Sequence, residues 1–377
     1  MAGSFLKNEL LFFSLWLIIS SLYYLENLFS GDVLGGREVS YFSLIFKYLI
    51  CLFFSIYAFR NNPLYALAAF LILFTGVAIF QNSSSANADY VVVMMVILTC
   101  FFGMPAFFSR YLIGHEPVIF RVLIFSGFLV SLLSIYQYFF LQDLYSVYWR
   151  NIGSVRLNSS LLNPNNMGVF VAACCLLLAL SGERTYVKLL LLPFFMFSIV
   201  MSGSRTALLA FLIVFIFSKI SNFRTTTYLR SIVFILCFLA VFMSTLFFYS
   251  NPFSDVRAFD FSSDGGRLNM QASFVMGFDL SYFYPDLYSE RYLLIQENSY
   301  LMLLNSLGVV GVLCFLFLFV VFYKFEVQET KFKYLLMYYI IVLALSNFLN
   351  AYPNNLLFFL SLGSFFAPRL LYSGSIR

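Results

Sequence analysis

Three charged residues stand at polar breaks of an otherwise apolar sequence, and their types indicate phosphate and hydroxyl chemistry. Arg205 lies between two apolar runs in FFMFSIVMSGSRTALLAFLIVF, Arg267 follows the turn signal SSDGG, and Glu297 begins ENSYLMLLNSLGVVG. A guanidinium group binds phosphate oxygens through paired hydrogen bonds. A partly desolvated carboxylate can act as a general base toward a sugar hydroxyl. We therefore predict a site for a phosphorylated, sugar-bearing substrate, with these three residues as its catalytic groups.

Each of the three residues also has a purely structural interpretation. In the structural interpretation, Arg205 is an interfacial arginine whose side chain extends toward lipid head groups. The Ser-Gly-Ser break before it instead favours a phosphate bound at a helix start. Arg267 would suit a solvated loop charge paired with Asp264. Glu297 would suit a first-turn acid that the helix dipole stabilises. The sequence leaves these alternatives open.

A second set of polar residues is predicted to contact the substrate. The amide-rich turn LNSSLLNPNNMGVF contains Asn163 and Asn165, which are candidates for sugar contacts or for helix capping. The remaining candidates are Arg156, Arg257, Arg291, Asn298 and Tyr300. Each of these arginines, taken alone, is also typical of a surface charge. The predicted chemistry needs no metal ion and no cofactor, although Asp260 and Asp264 leave a metal site open.

Several functional classes are disfavoured by what the sequence lacks. It has one histidine, His115, and no HExxH, paired-cysteine, Walker or GxGxxG motif, so an ATPase motor, a zinc protease or a redox enzyme is not predicted. All six cysteines fall in apolar runs, which suggests no disulfide framework. The net charge of +5 does not indicate a nucleic-acid partner, because cytoplasmic loops of membrane proteins are positively charged.

Membrane-spanning helices are the elements that must position these residues. The chain is 62% hydrophobic and 10% charged, and apolar runs long enough to cross a bilayer recur along its length. We predict an all-α integral membrane protein with about twelve transmembrane helices. The predicted spans cover residues 10–29, 41–59, 64–80, 90–108, 117–140, 165–182, 187–203, 205–218, 231–250, 298–323, 334–350 and 355–371.

The distribution of positive charge predicts the orientation of these spans. With a cytoplasmic N-terminus, roughly two thirds of the loop lysines and arginines fall on the cytoplasmic side, and the C-terminus is cytoplasmic too. Lys188 and Lys219 both belong to that side, so residues 189–218 must cross the membrane twice. A hairpin broken at Ser202-Gly203-Ser204 satisfies this requirement and places Arg205 at the outer edge of the membrane.

The polar loops divide the chain into three regions. Residues 1–140 supply the N-terminal transmembrane helices, residues 141–323 a core, and residues 324–377 the C-terminal helices. The core contains two outer loops that are longer than connections require, 142–163 and 251–296. The second of these holds most of the outer charged residues, which indicates chemistry at one face of the membrane.

Four motifs in this order resemble the O-antigen polymerase and ligase superfamily (Wzy and WaaL type). They are NPNNMG before a span, SGSRTALLAFLIV at the hairpin, GGR in the late loop and ENSYLMLLNSLGVVG at the next span. The resemblance covers roughly residues 150–323. It implies a GT-C-like glycosyltransferase of the bacterial inner membrane that acts at the periplasmic face on undecaprenyl-pyrophosphate-linked glycans. It also implies that Arg205 and Arg267 bind the pyrophosphate, and it allows membrane lipids and a chain-length regulator as partners.

The same resemblance separates two branches of the superfamily. The ligase pattern has His-Asn where this chain has Glu297-Asn298, so the resemblance favours a polymerase that transfers a growing glycan to a lipid-linked repeat unit with inversion. A ligase that transfers polymer to the lipid A core remains an alternative. A lipid-linked oligosaccharide flippase is a second alternative, and a structural protein of the cell envelope is a third.

Overall fold

The computed structural model describes residues 2–22, 115–141, 156–161, 163–221, 332–345, 354–358 and 360–361. All regular secondary structure in these ranges is α-helical, without a strand, which confirms the predicted helical class for this part of the chain. The loop 251–296 lies outside the described residues. So do six candidate site residues: Arg257, Arg267, Arg291, Glu297, Asn298 and Tyr300.

Six helices make up most of the described part. They are α1 (Ala2–Ser21), α2 (Glu116–Phe140), α3 (Pro164–Leu180), α4 (Thr185–Ser202), α5 (Arg205–Ser221) and α6 (Phe332–Leu345). Residues 354–358 and 360–361 are helical as well. The predicted spans 117–140, 165–182, 187–203 and 205–218 agree with α2 to α5 to within a few residues at each end.

Two of these helices, α2 and α4, are long and apolar enough to cross a membrane. Helix α4 also exposes large apolar side chains, such as Leu189 at 66% and Leu190 at 64% exposure. An exposed apolar face of this kind suits contact with lipid. Helices α3, α5 and α6 are apolar too but have shorter apolar stretches.

The first predicted span, 10–29, overlaps helix α1 only over residues 10–21. Helix α1 already begins at Ala2 and ends at Ser21. In its last turn the Ser20 hydroxyl donates to the carbonyl of Trp16 at 2.7 Å, and the Ser21 hydroxyl donates to that of Ile18 at 2.7 Å.

Helix α3 forms the centre of the described bundle. It packs against α2, α4, α5 and α6, and every side chain from Met167 to Leu178 is buried. A helix that is apolar on all sides is expected to be buried on all sides. The NPNNMG motif therefore begins the helix on which the neighbouring helices converge.

The predicted break at Ser202-Gly203-Ser204 is confirmed. Helix α4 ends at Ser202, Gly203 adopts a left-handed conformation with φ of 63°, and α5 begins at Arg205. Glycine tolerates this conformation because it has no Cβ. The two arms make few contacts with each other, and each packs against α3 instead.

Close packing between α2 and α3 depends on Gly127. A Cβ added there would lie 2.5 Å from the Cβ of Cys174. We therefore expect Gly127→Ala to destabilise the fold by about 1–3 kcal/mol, as overpacked cores do. Thermal unfolding of the purified, detergent-solubilised protein measures this effect. Gly182→Ala is the matched control, because nothing lies within 4 Å of the added Cβ there.

The opposing residue offers a rescue that separates the clash from other effects of the substitution. Cys174→Gly removes the Cβ that the new methyl group would meet, so it should cost less stability in Gly127→Ala than in the wild-type protein, where there is no clash to relieve. A midpoint for Gly127→Ala equal to that of Gly182→Ala would contradict the close approach.

Candidate functional site

One end of the bundle brings together a cluster of described polar side chains. This end, called the Arg205 end below, is formed by the start of α3, the end of α4, the start of α5 and the segment 156–161. The Ser160 hydroxyl in that segment donates to the carbonyl of Ser21 at 2.6 Å, so the end of α1 lies there too. The end of α1, the start of α3, the end of α4 and the start of α5 thus lie at the same end of the bundle.

The turn between α4 and α5 satisfies two of the last carbonyls of α4 by itself. The Ser202 hydroxyl donates to the carbonyl of Ile199 at 2.6 Å, and the Gly203 amide donates to that of Val200 at 2.9 Å. The last four carbonyls of a helix lack partners within the helix, so such bonds fix the geometry of its end.

The segment 156–161 satisfies the other two carbonyls. The Leu157 amide donates to the carbonyl of Met201 at 2.9 Å, and Nε of Arg156 donates to that of Ser202 at 2.8 Å. All four terminal carbonyls of α4 are thus paired. The direction in which α4 ends, and hence the place at which α5 begins, is set partly by a segment more than forty residues earlier in the chain.

Arg205 is the first residue of α5 and is half-buried. Ser204 caps this helix, because its hydroxyl accepts from the Ala207 amide at 3.4 Å. The Ser204 amide in turn donates to the Ser202 hydroxyl at 3.1 Å. The start of a helix favours an anion through its amide groups and its dipole, so Arg205 adds a positive side chain to a position that already attracts negative charge.

The Arg156 side chain is buried, with 4% exposure, so its interpretation as a surface charge is wrong. Besides the Ser202 carbonyl, its Nη2 donates to Oδ1 of Asn165 in α3. The guanidinium has five N–H donors and a delocalised charge, and the nearby C-terminal end of α4 carries partial negative charge. These neutral acceptors and the helix dipole offset part of the cost of burying the cation.

A network of amides and hydroxyls holds the segment that carries Arg156. Gln137 in α2 donates from Nε2 to Oδ1 of Asn158 at 2.7 Å and accepts from the Ser159 amide at 2.9 Å. The Ser159 hydroxyl donates to the carbonyl of Val130 at 2.7 Å. Sequence reasoning missed Gln137, although a single amide inside an apolar span was a usable signal.

The amides of the NPNNMG motif act in the fold at the start of α3. Oδ1 of Asn163 accepts from the Asn165 amide at 2.8 Å, so the capping interpretation holds for this exposed residue. The Asn166 carbonyl accepts from Nδ2 of Asn354 at 3.0 Å, which ties the C-terminal region to the same helix start. Contacts of Asn163 and Asn165 with sugar remain a prediction.

The structure thus brings four of the ten predicted site residues to one end of the bundle: Arg156, Asn163, Asn165 and Arg205. Asp260 and Asp264 lie outside the described ranges. Within those ranges, no group of three or more His, Cys, Asp or Glu side chains is placed to hold a metal ion. What the described residues offer an anionic ligand is the half-buried guanidinium group of Arg205 at a helix start.

The opposite end of the bundle has a different chemistry. Arg121 and Glu183 form an ion pair with Nε and Oε1 2.7 Å apart, and the Arg121 side chain is 70% exposed. Nζ of Lys188 donates to the carbonyl of Ser181 at 2.6 Å, near the end of α3. These contacts join helix ends at an exposed surface.

No protein-family model matches the chain, and no curated protein matches it.

Proposed function

We propose that this protein is a membrane glycosyltransferase that polymerises lipid-linked glycan repeat units, of the O-antigen polymerase kind. The observation that carries the proposal is the Ser202-Gly203-Ser204 turn, which presents Arg205 at the start of α5 in an apolar helical bundle. A cationic site at the end of such a bundle suits a substrate whose phosphate lies at the membrane surface and whose tail lies in the lipid.

The charges at the two ends of the bundle support the proposed membrane arrangement. About twelve helices of a GT-C-like fold cross the bacterial inner membrane, with both chain termini in the cytoplasm. The end that carries Arg121, Arg184 and Lys188 faces the cytoplasm, in keeping with the positive-inside rule. The Arg205 end then faces the periplasm, where lipid-linked repeat units are joined.

The proposed reaction is a single displacement at an anomeric carbon. The donor is a growing glycan on undecaprenyl pyrophosphate, and the acceptor is one lipid-linked repeat unit. An acceptor hydroxyl oxygen forms the new bond to the anomeric carbon while the bond from that carbon to the pyrophosphate oxygen breaks, with inversion. The pyrophosphate leaves with the electron pair, and Glu297 takes the hydroxyl proton.

The arginines have an electrostatic role in this reaction. Arg205 and Arg267 bind the pyrophosphate and stabilise the charge that develops as it leaves, an effect worth about 3 kcal/mol for each well-placed donor. Because the two guanidinium groups supply this positive charge, the proposal requires no metal ion and no nucleotide. Six further residues are proposed to contact the glycan: Arg257, Arg291, Asn298, Tyr300, Asn163 and Asn165.

Deletion of the gene in its own host tests this function. We expect lipopolysaccharide that carries a single repeat unit on the core, without the ladder of longer glycans. The wild-type gene should restore the ladder. Loss of every repeat unit would instead favour the ligase or the flippase, and an unchanged ladder would contradict all three. The flippase has less support, because Arg205 and Lys188 lie near helix ends, whereas transporters place their sites near the bilayer midplane.

A further inference from the structure

Arg156 joins two helices at the Arg205 end through two hydrogen bonds that lie at helix termini. Its Nε donates to the carbonyl of Ser202, the last residue of α4, at 2.8 Å. Its Nη2 donates to Oδ1 of Asn165, in the first turn of α3. One planar group therefore fixes the end of α4 relative to the start of α3. The end of α4 lies three residues before Arg205.

We infer that Arg156 is a positioning residue, which holds the turn that presents Arg205 to the pyrophosphate and does not itself bind the substrate. The inference rests on the proposed function and revises the role that the sequence indicates for Arg156. It assigns to Arg156 a preorganising function, in which a donor is held in place before the substrate arrives.

Burial and hydrogen-bond geometry carry this inference. With 4% exposure, the Arg156 side chain offers almost no surface to a ligand, whereas Arg205 is half-buried. The adjacent Leu157 amide donates to the Met201 carbonyl at 2.9 Å, so the backbone of the same segment reinforces the cap. A site held within a fraction of an ångström requires supporting residues of this kind.

The planar guanidinium is essential to the proposed role, and its charge alone is not sufficient. Nε and Nη2 point in fixed directions toward two acceptors on different helices. A lysine ammonium keeps the charge but is a single point donor on a flexible stem. Arg156→Lys is therefore expected to leave the turn only partly held.

A double-mutant cycle with Arg205 tests the inference. Undecaprenyl pyrophosphate, the proposed leaving group, is titrated into purified full-length protein in nanodiscs, and its Kd is measured for wild type, Arg156→Lys, Arg205→Ala and the double variant. We expect Arg156→Lys to weaken binding about 10-fold with Arg205 present, and less than about 2-fold with Arg205→Ala, because residues that act through one another are not additive.

Three outcomes of the cycle would overturn the inference. Equal weakening in both backgrounds would make Arg156 an independent ligand. Unchanged affinity for Arg156→Lys would show that its charge is sufficient or that the turn does not need it. A lower unfolding temperature with unchanged affinity of the folded protein would make its role purely structural.

Two further measurements keep the test decisive. Asn165→Ala removes one acceptor of Arg156, and it should weaken binding about 3-fold, again only when Arg205 is present. Amide hydrogen exchange over residues 199–210 should be faster in Arg156→Lys than in wild type, with α2 unchanged. Exchange reports on the turn even if wild type fails to bind the pyrophosphate, an outcome that would overturn the proposed function separately.

Discussion

Arg205→Ala is expected to lower the rate of glycan polymerisation by about 100- to 1,000-fold, the effect typical of removing a donor that stabilises the leaving charge. The side chain stands at the start of α5, where, in the proposed mechanism, the helix dipole and the guanidinium group act on the same anion. The rate is measured as polymer formed from lipid-linked repeats by equal amounts of folded, membrane-inserted protein. Arg205→Lys should recover part of the rate, because the charge returns without the planar pair of donors.

The matched control for this prediction is Arg184→Ala. Arg184 likewise lies at the start of a helix, as the N-cap residue of α4, but it is exposed and lies at the opposite end of the bundle. Its loss should leave the rate within about 2-fold of wild type, since surface substitutions away from a site have small effects. If Arg205→Ala and Arg184→Ala were equally active, the Arg205 end would not be the site.

Gly168→Ala is expected to damage both the fold and the activity. A Cβ at this position in α3 would lie 2.6 Å from the Cβ of Ser204 and would also clash with the Ser202 hydroxyl. Both serines belong to the turn that presents Arg205, so the turn must move away from α3. We expect a loss of at least about 2 kcal/mol in stability, together with a loss of polymerisation rate in the protein that remains folded.

Gly127→Ala separates the two effects of this substitution. It overpacks α2 against α3 at Cys174, away from the turn, and should therefore lower stability while the rate per folded molecule is retained. Thermal unfolding and specific activity are measured on the same purified samples. Gly168→Ala with the specific activity of Gly127→Ala would show that the contact between α3 and the turn does not matter for Arg205.

The sequence predicts the local features of this site well. The Ser-Gly-Ser break can be predicted because glycine is the residue that most often adopts the left-handed conformation at a helix end. The start of α3 is readable because proline suits the first helical position and asparagine the cap before it. In both cases the signal lies within a few neighbouring residues, so one sequence is sufficient.

The features that join distant segments could not be read in the same way. The bond between Arg156 and the Ser202 carbonyl spans 46 positions, and its acceptor is a backbone atom that carries no sequence signal. Arg156 therefore resembles any other loop arginine in the sequence, although it is buried in the structure. The partnership of Arg205 with Arg267 and Glu297 is a still longer-range relation, and it stays a prediction.

Reconstitution of the purified protein in lipid vesicles, with single lipid-linked repeat units as the only glycan, tests the central claim most directly. The proposal predicts glycan chains of many repeats and one undecaprenyl pyrophosphate released for each bond formed, both lost in Arg205→Ala and retained in Arg184→Ala. Folded wild-type protein that forms no bond between repeats, or Arg205→Ala that forms polymer at the wild-type rate, would contradict it.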